Sequence, residues 1–409
     1  MKKISVLTIT LLAMFALCTN PAFAEMGKYK VGSLTILPSI GLEWQSDDNV
    51  YQGNGSNNTT EKVVSDAISH IKPAVMFDYK FDGRGGLKFG YKGDLAYYET
   101  SDNNNWQSHS GLFDLNYNSP GGLIVGVNNN YTVTEDPFSN ESDYLNAATR
   151  KVERWNDTLK AKVGYKLGDT LKVLGYCNYY IQDYQDDVRD FSQDYNQMEF
   201  GAGVEMALMA KTWGFLRYHY GVRDYTTETT TVTEANDSDQ NWHRVNGGIA
   251  WDSGAKWSGE LNLGYQSKAY ENERDPLNNI YEEKNTWIAA TNVKYAITEA
   301  TRLGVTLNRA LKETRSDTTE YNEETAYGIN ASHTMMEILN LSAAYVYTKN
   351  EYNTNNREDD TNMVKVDVDY KIQPWLTAGA GYVYKERDSN LNANDYKDNQ
   401  FVARVKAGF

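Results

Sequence analysis

Residues 401–409 read F-V-A-R-V-K-A-G-F. Phe401, Ala403, Val405, Ala407 and Phe409 form one apolar row, while Arg404 and Lys406 stand opposite with Val402 and Gly408. Side chains alternate across an extended chain, so the stretch predicts a strand with one oily and one charged face. The edge of a soluble sheet has the same pattern. Recurrence separates the two readings, together with what the chain begins with.

The pattern recurs throughout. Leu159, Ala161, Val163 and Tyr165 oppose Lys160, Lys162 and Lys166. Phe200, Ala202, Val204, Met206 and Leu208 oppose Glu199 and Glu205, and Leu261, Leu263 and Tyr265 oppose Glu260. Leu303, Val305 and Leu307 oppose Arg302, and Val364, Val366, Val368, Tyr370 and Ile372 oppose Lys365, Asp367, Asp369 and Lys371. Leu87, Phe89 and Tyr91 oppose Lys88 and Lys92. The first such strand runs from Leu34 to Gln45, with Pro38 as an irregularity. Between strands, tight turns such as Asp82-Gly83-Arg84-Gly85-Gly86 and Ser119-Pro120-Gly121-Gly122 alternate with long polar segments. Those segments include Ser46–Thr60, Asp183–Asp194, Lys312–Glu324, Asn350–Thr361 and Glu386–Asn399. About eighteen strands, with short turns at one end and long loops at the other, predict an all-β, antiparallel transmembrane β-barrel whose turns are periplasmic and loops extracellular. A β-sandwich rarely runs so many hairpins in one series.

The N-terminus agrees. Lys2 and Lys3 precede an apolar stretch from Ile4 to Leu17, and Ala22-Phe23-Ala24 fits a cleavage site. The expected organisation is a signal peptide over residues 1–24 and one outer-membrane barrel domain over 25–409. Cys177 then remains as the one cysteine, in phase with Val173 and Tyr179, and no internal disulfide forms. Mean hydropathy is −0.64, a value that misleads for barrels, because half of every strand and all the loops are polar. The 31 tyrosines and 9 tryptophans against 7 prolines suit strands and interfacial girdles. A net charge of −15 argues against a nucleic-acid partner.

Leu37-Pro38-Ser39-Ile40-Gly41-Leu42 followed by Asp47-Asp48-Asn49-Val50-Tyr51 resembles the opening of the putative β-barrel porin 2 family of Gram-negative outer membranes. The motif covers about fifteen residues, and the likeness in architecture covers the mature chain. The resemblance implies a monomeric barrel associated with exopolysaccharide export. It carries no established catalytic or ligand residues. The terminal Phe409 resembles the assembly signal of outer-membrane barrels.

Enzyme chemistry finds little footing. The five histidines, His70, His109, His219, His243 and His333, show no metal-ligand spacing. There is no G-x-S-x-G and no phosphate-binding glycine loop. No enzyme, cofactor or metal is expected. Acidic clusters at Asp47-Asp48, Asp186-Asp187 and Glu358-Asp359-Asp360 read as solvated loop charges, since none matches a calcium-binding repeat.

The inward face carries the functional expectation. Lys88, Lys92, Lys160, Lys162, Lys166, Arg302, Lys365, Lys371, Arg404 and Lys406, with Glu199, Glu205, Glu260, Asp367 and Asp369, are the lumen-lining candidates. The lysines gather toward the short-turn ends, which predicts a basic periplasmic mouth that draws in an anionic solute or polymer. Pairing across strands is the competing reading. Tyr98, Tyr176 and Tyr180 offer inward faces for sugar stacking, against packing or girdle roles. The expected function is an outer-membrane channel assisting exopolysaccharide export. A small-solute porin and a closed structural or adhesive barrel are the alternatives. Expected partners are lipid and lipopolysaccharide, the barrel-assembly machinery and periplasmic export proteins.

Overall fold

The computed structural model describes residues 28–55, 62–136, 153–185, 194–226, 238–252, 254, 256–274, 280–316, 319–353 and 356–408. The expected signal peptide, Asp186-Asp187 and Phe409 lie outside the described residues.

Strand β1 (Tyr29–Val31) is followed by β2 (Leu34–Asp47), β3 (Asp66–Lys80), β4 (Gly85–Tyr98), β5 (Trp106–Asn118), β6 (Leu123–Thr134) and β7 (Arg154–Leu167). Next come β8 (Leu171–Tyr184), β9 (Tyr195–Met209), β10 (Thr212–Tyr225), β11 (Gln240–Trp251), β12 (Trp257–Tyr270) and β13 (Lys284–Ala296). The series ends with β14 (Thr301–Ser316), β15 (Thr319–Met335), β16 (Leu339–Tyr352), β17 (Glu358–Gln373), β18 (Leu376–Ser389) and β19 (Tyr396–Gly408). From β2 onward each strand pairs antiparallel with the next. The sheet closes where β19 pairs with β2, from Gln400 opposite Asp47 to Gly408 opposite Ser39. The result is a closed antiparallel barrel of 18 strands, β2 to β19. Barrel strands run from 12 to 17 residues, longer than the ~9–11 that cross a bilayer at the usual tilt.

Closure gives every barrel strand a partner on both sides, so backbone groups along the paired lengths are satisfied within the ladder, as hydrocarbon requires. The period of two then decides what each face meets. Leu42, Phe89, Val163, Val204, Leu263, Val305, Val366 and Phe401 are all exposed and share the outward phase. The intervening polar residues turn inward. Of the tight turns, the one before β4 depends on Gly85, whose φ is +131°. A Cβ there would lie 1.9 Å from the Asn116 carbonyl oxygen.

The short strand β1 was not foreseen. It pairs with Leu34 to Ile36 of β2, on the edge that β19 leaves beyond Ser39. Leu37 and Pro38 fall in the gap between these two ladders. Among the described residues no partner on that edge calls for the missing proline N–H, and Pro38 is tolerated there.

The expected long loop Lys312–Glu324 is a correction. β14 and β15 stay paired up to Ser316 opposite Thr319, so this segment is a projecting ladder. Its polarity read as loop because the apolar row that marks a strand stops where β14 and β15 leave the apolar belt. The Asn350–Thr361 and Glu386–Asn399 loops likewise shorten to 353–357 and 390–395. The latter carries a 3-10 turn, Asn392–Asn394.

Candidate functional site

The inner wall divides into a compensated part and an uncompensated part. On β8 to β12, Glu205 takes Lys172 at 3.1 Å and Arg217 at 3.2 Å, and Arg217 forks to both oxygens of Glu260 at 2.9 and 3.0 Å. Glu199 is a second hub. It accepts from Trp242 Nε1 (3.1 Å), Asn178 Nδ2 (2.9 Å) and Arg244 Nη1 (3.2 Å), with His219 Nδ1 3.3 Å away. Across the closing strands, Arg404 binds Asp367 at 2.7 Å and Asp369 at 2.9 Å, and Lys365 lies 3.4 Å from Asp367. Each acid expected in the lumen is thus engaged by a cation, as the pairing reading anticipated.

The cations are not all matched. Lys88, Lys92, Lys160, Lys162, Arg302, Lys371 and Lys406 make no ion pair among the described residues. Lys160 stands between Asn128 and Asn178 in the register, and Lys162 between Gly126 and Tyr176, so neutral groups flank both. Lys88 faces Asp114, but that carboxylate is taken by Asn116 at 2.6 Å and Asn128 at 3.4 Å. Near the short turns, Lys162, Lys166 and Lys172 line one cavity of about 380 Å³ with Leu174, Glu205, Trp213 and Asp252. Lys166 reaches the turn residue Asp169 at 2.9 Å and holds its carboxyl below the ordinary carboxylate range. The balance on this side is positive.

Sequence reading missed the aromatic part of the wall. Trp213, Phe215 and Trp242 are buried on the inner face. Lys172 Nζ sits 3.5 Å from the Trp213 ring centre, and the Arg217 guanidinium 3.9 Å from that of Phe215. The ring faces turned toward these cations are occupied and not open to a sugar. The signal was present, since Phe215 and Trp213 share the phase that places Arg217 inward. Tyr176, an expected stacking face, packs instead against His219, with ring centres 5.4 Å apart.

At the long-loop end, the segment after β2 turns into the barrel mouth. Val50 is buried with Ile68, Ala96 and Tyr98, and Tyr51 and Trp106 pack against them. Ile68, Ala96 and Tyr98 are inner-face residues, in phase with His70 and Asp94. Asn104 Nδ2 donates to Tyr51 Oη at 2.7 Å. Asn49 clamps the turn, donating to the carbonyls of Gly53 (2.9 Å) and Lys397 (2.8 Å). The reading of the acidic clusters as solvated is corrected for one member in each of two: Asp47 is 5% exposed and Asp359 fully buried, while Asp48 and Glu358 are exposed as expected. Asp47 and Asp359 are strand-end residues turned inward, Asp359 toward Arg357. Replacing Val50 by Asp places a charge in this apolar cluster. The expected outcome is a released loop and a higher single-channel conductance than wild type.

The histidines take structural partners. His70 bonds Asp94 (2.9 Å), His109 meets Tyr91 (2.7 Å), His243 meets Tyr218 (2.7 Å) and His333 meets Thr301 (2.9 Å). Among the described residues none joins a metal-ligand cluster.

Comparison with known proteins places this architecture. A family model described as "Putative beta-barrel porin 2" matches residues 20–409. No curated protein matches. Among solved structures, OpdL of Pseudomonas aeruginosa is similar at 12% identity and TM-score 0.44, over 92% of this chain and 99% of that one. OpdK of the same organism aligns at 10% identity and TM-score 0.45, over 91% and 98%. The FrpB iron transporter of Neisseria meningitidis aligns at 10% identity and TM-score 0.45 over 86% of this chain, which spans only 61% of FrpB.

Proposed function

The chain belongs to the putative beta-barrel porin 2 family, and from that premise we propose that it is an outer-membrane channel assisting export of an exopolysaccharide through a water-filled lumen. Family and fold are those of transport barrels of the outer membrane. An 18-stranded barrel belongs to the size class that leaves an aqueous interior. The observation that carries the reading is the excess of unpaired cations on the inner wall, with the lysine-lined cavity beside the short turns. A positive wall at the periplasmic end raises the local concentration of a polyanion there. The long-loop ends carry Asp47, Asp48, Asp66, Asp136 and Glu358, so the potential falls outward along the axis. A polyanion is therefore held at entry and not at exit. Periplasmic export proteins docking on the short turns, and a monomeric barrel, complete the proposal.

The inturned first loop favours a second reading, a closed barrel acting at the surface. Single-channel recording in planar bilayers separates the two. Under the export reading, the protein gives a stable anion-preferring pore that an added anionic polysaccharide blocks from the short-turn side. A pore indifferent to polymer indicates a small-solute porin, and absence of conductance indicates a closed barrel.

A further inference from the structure

We propose that Asp47, Asp48 and Asp398 bind a calcium ion that fastens the seam between β2 and β19 at the mouth of the barrel. Each of the three offers a carboxylate oxygen, and these oxygens lie within 4.8 Å of one another. Two of the carboxylates are out of solvent, with Asp47 5% and Asp398 1% exposed. The observation that points to a ligand is Asp398 Oδ1. It is buried and has no hydrogen-bond partner among the described residues. An unpaired buried carboxylate oxygen beside a second buried carboxylate is destabilising unless something positive stands between them.

The protein's own groups do not supply that charge. Gln400 Nε2 donates to Asp398 Oδ2 (2.8 Å) and to Asp47 Oδ2 (3.1 Å), which binds the two residues together without neutralising them. Asn49 N and Gln45 Nε2 donate to Asp47 at 2.9 and 3.1 Å. Lys385 Nζ stands 3.9 Å from Asp398 Oδ2, a single ammonium at the outer limit of an ion pair. Asp136 lines the same cavity of about 210 Å³ and adds a further carboxylate, while His70 is engaged by Asp94. Asp48 accepts from Asn399 N and Nδ2, both at 2.7 Å, and each of its oxygens keeps a free lone pair.

The donor set is oxygen throughout, with amide side chains of Gln45, Gln52 and Gln400 around the cavity. Such a set suits a hard cation of adaptable coordination, which is calcium. Its position gives it a role. β2 and β19 are the first and last barrel strands, and Asn49 and Lys397 tie the inturned loop to the same point. An ion there joins the closing seam to the inturned segment after β2.

Terbium(III) tests this on protein refolded in lipopolysaccharide-free detergent. Trp106 and Tyr98 line the cavity and can sensitise its emission. Expected are saturable terbium emission that calcium displaces, and a Tm that rises with calcium and falls with EDTA. Asp398→Asn should weaken terbium binding about tenfold or more and make Tm insensitive to calcium. It should also raise Tm in EDTA above the wild-type value, because the carboxylate repulsion is gone. Wild-type protein that shows no calcium-displaceable emission, and a Tm that responds to acid but not to calcium, overturns the proposal in favour of a proton shared by Asp47 and Asp398. If Asp398→Asn does not fold, the wild-type titration decides alone.

Discussion

Lys160→Glu/Lys162→Glu protein, recorded in planar bilayers under a potassium chloride gradient, gives a reversal potential opposite in sign to that of wild type. Both lysines lie on the inner face without an ion pair, flanked by Asn128, Asn178, Gly126 and Tyr176. No neighbouring acid is set free by the change, so the exchange of two positive for two negative charges acts on permeating ions alone. A unit charge at roughly 4 Å is worth about 1 kcal/mol even in water. That exceeds RT, and two reversed charges shift local ion populations severalfold. Screening is about 10 Å at 0.1 M salt, so the reversal is largest in dilute electrolyte. Lys166→Glu is the control. Lys166 is partnered by Asp169 at an exposed turn, and its effect on selectivity is smaller. An unchanged sign in the double variant would remove these lysines from the ion path and with them the reading of a basic lumen.

How far the fold was legible follows from the same residues. Alternation in stretches such as Val364 to Ile372 is a local property, and the strand count and barrel class came directly from it. Inner-face position was legible too, because one inward residue fixes the phase of its strand. Arg217 carries Phe215, Trp213 and His219 with it. Polarity failed at the ends of strands. Lys312 to Glu324 is as polar as a loop, yet it is a ladder outside the apolar belt. The register in which the distant first and last strands meet was not legible. Asp47 and Asp398 lie at opposite ends of the chain and meet only because the barrel closes. The motif Asp47-Asp48-Asn49-Val50-Tyr51 gave the family resemblance, but its physical work is visible only in three dimensions. Asn49 clamps, and Val50 and Tyr51 pack inward on residues contributed by β3, β4 and β5.

Glu199→Ala has the largest expected effect on stability, a loss of about 3 kcal/mol read by urea unfolding in detergent. The value is set at the low end for a broken buried pair because the partner Arg244 keeps 31% of its side chain exposed and rehydrates in part. Glu199 itself is 7% exposed, and its loss strands Trp242 Nε1 and Asn178 Nδ2 together and leaves the Arg244 guanidinium without its acid. Glu199→Gln should recover only part of this. Trp242 and Arg244 converge on Oε2, whereas Asn178 and His219 approach Oε1. An amide presents one acceptor oxygen, so whichever way it turns, its NH₂ faces donors. The order of stability is therefore wild type, then Gln, then Ala. Ala equal to Gln would mean that the carboxylate's charge, rather than its three hydrogen bonds, holds the β8–β11 wall. Ala equal to wild type would mean that the network only fills space and that the wall stands on its backbone ladder.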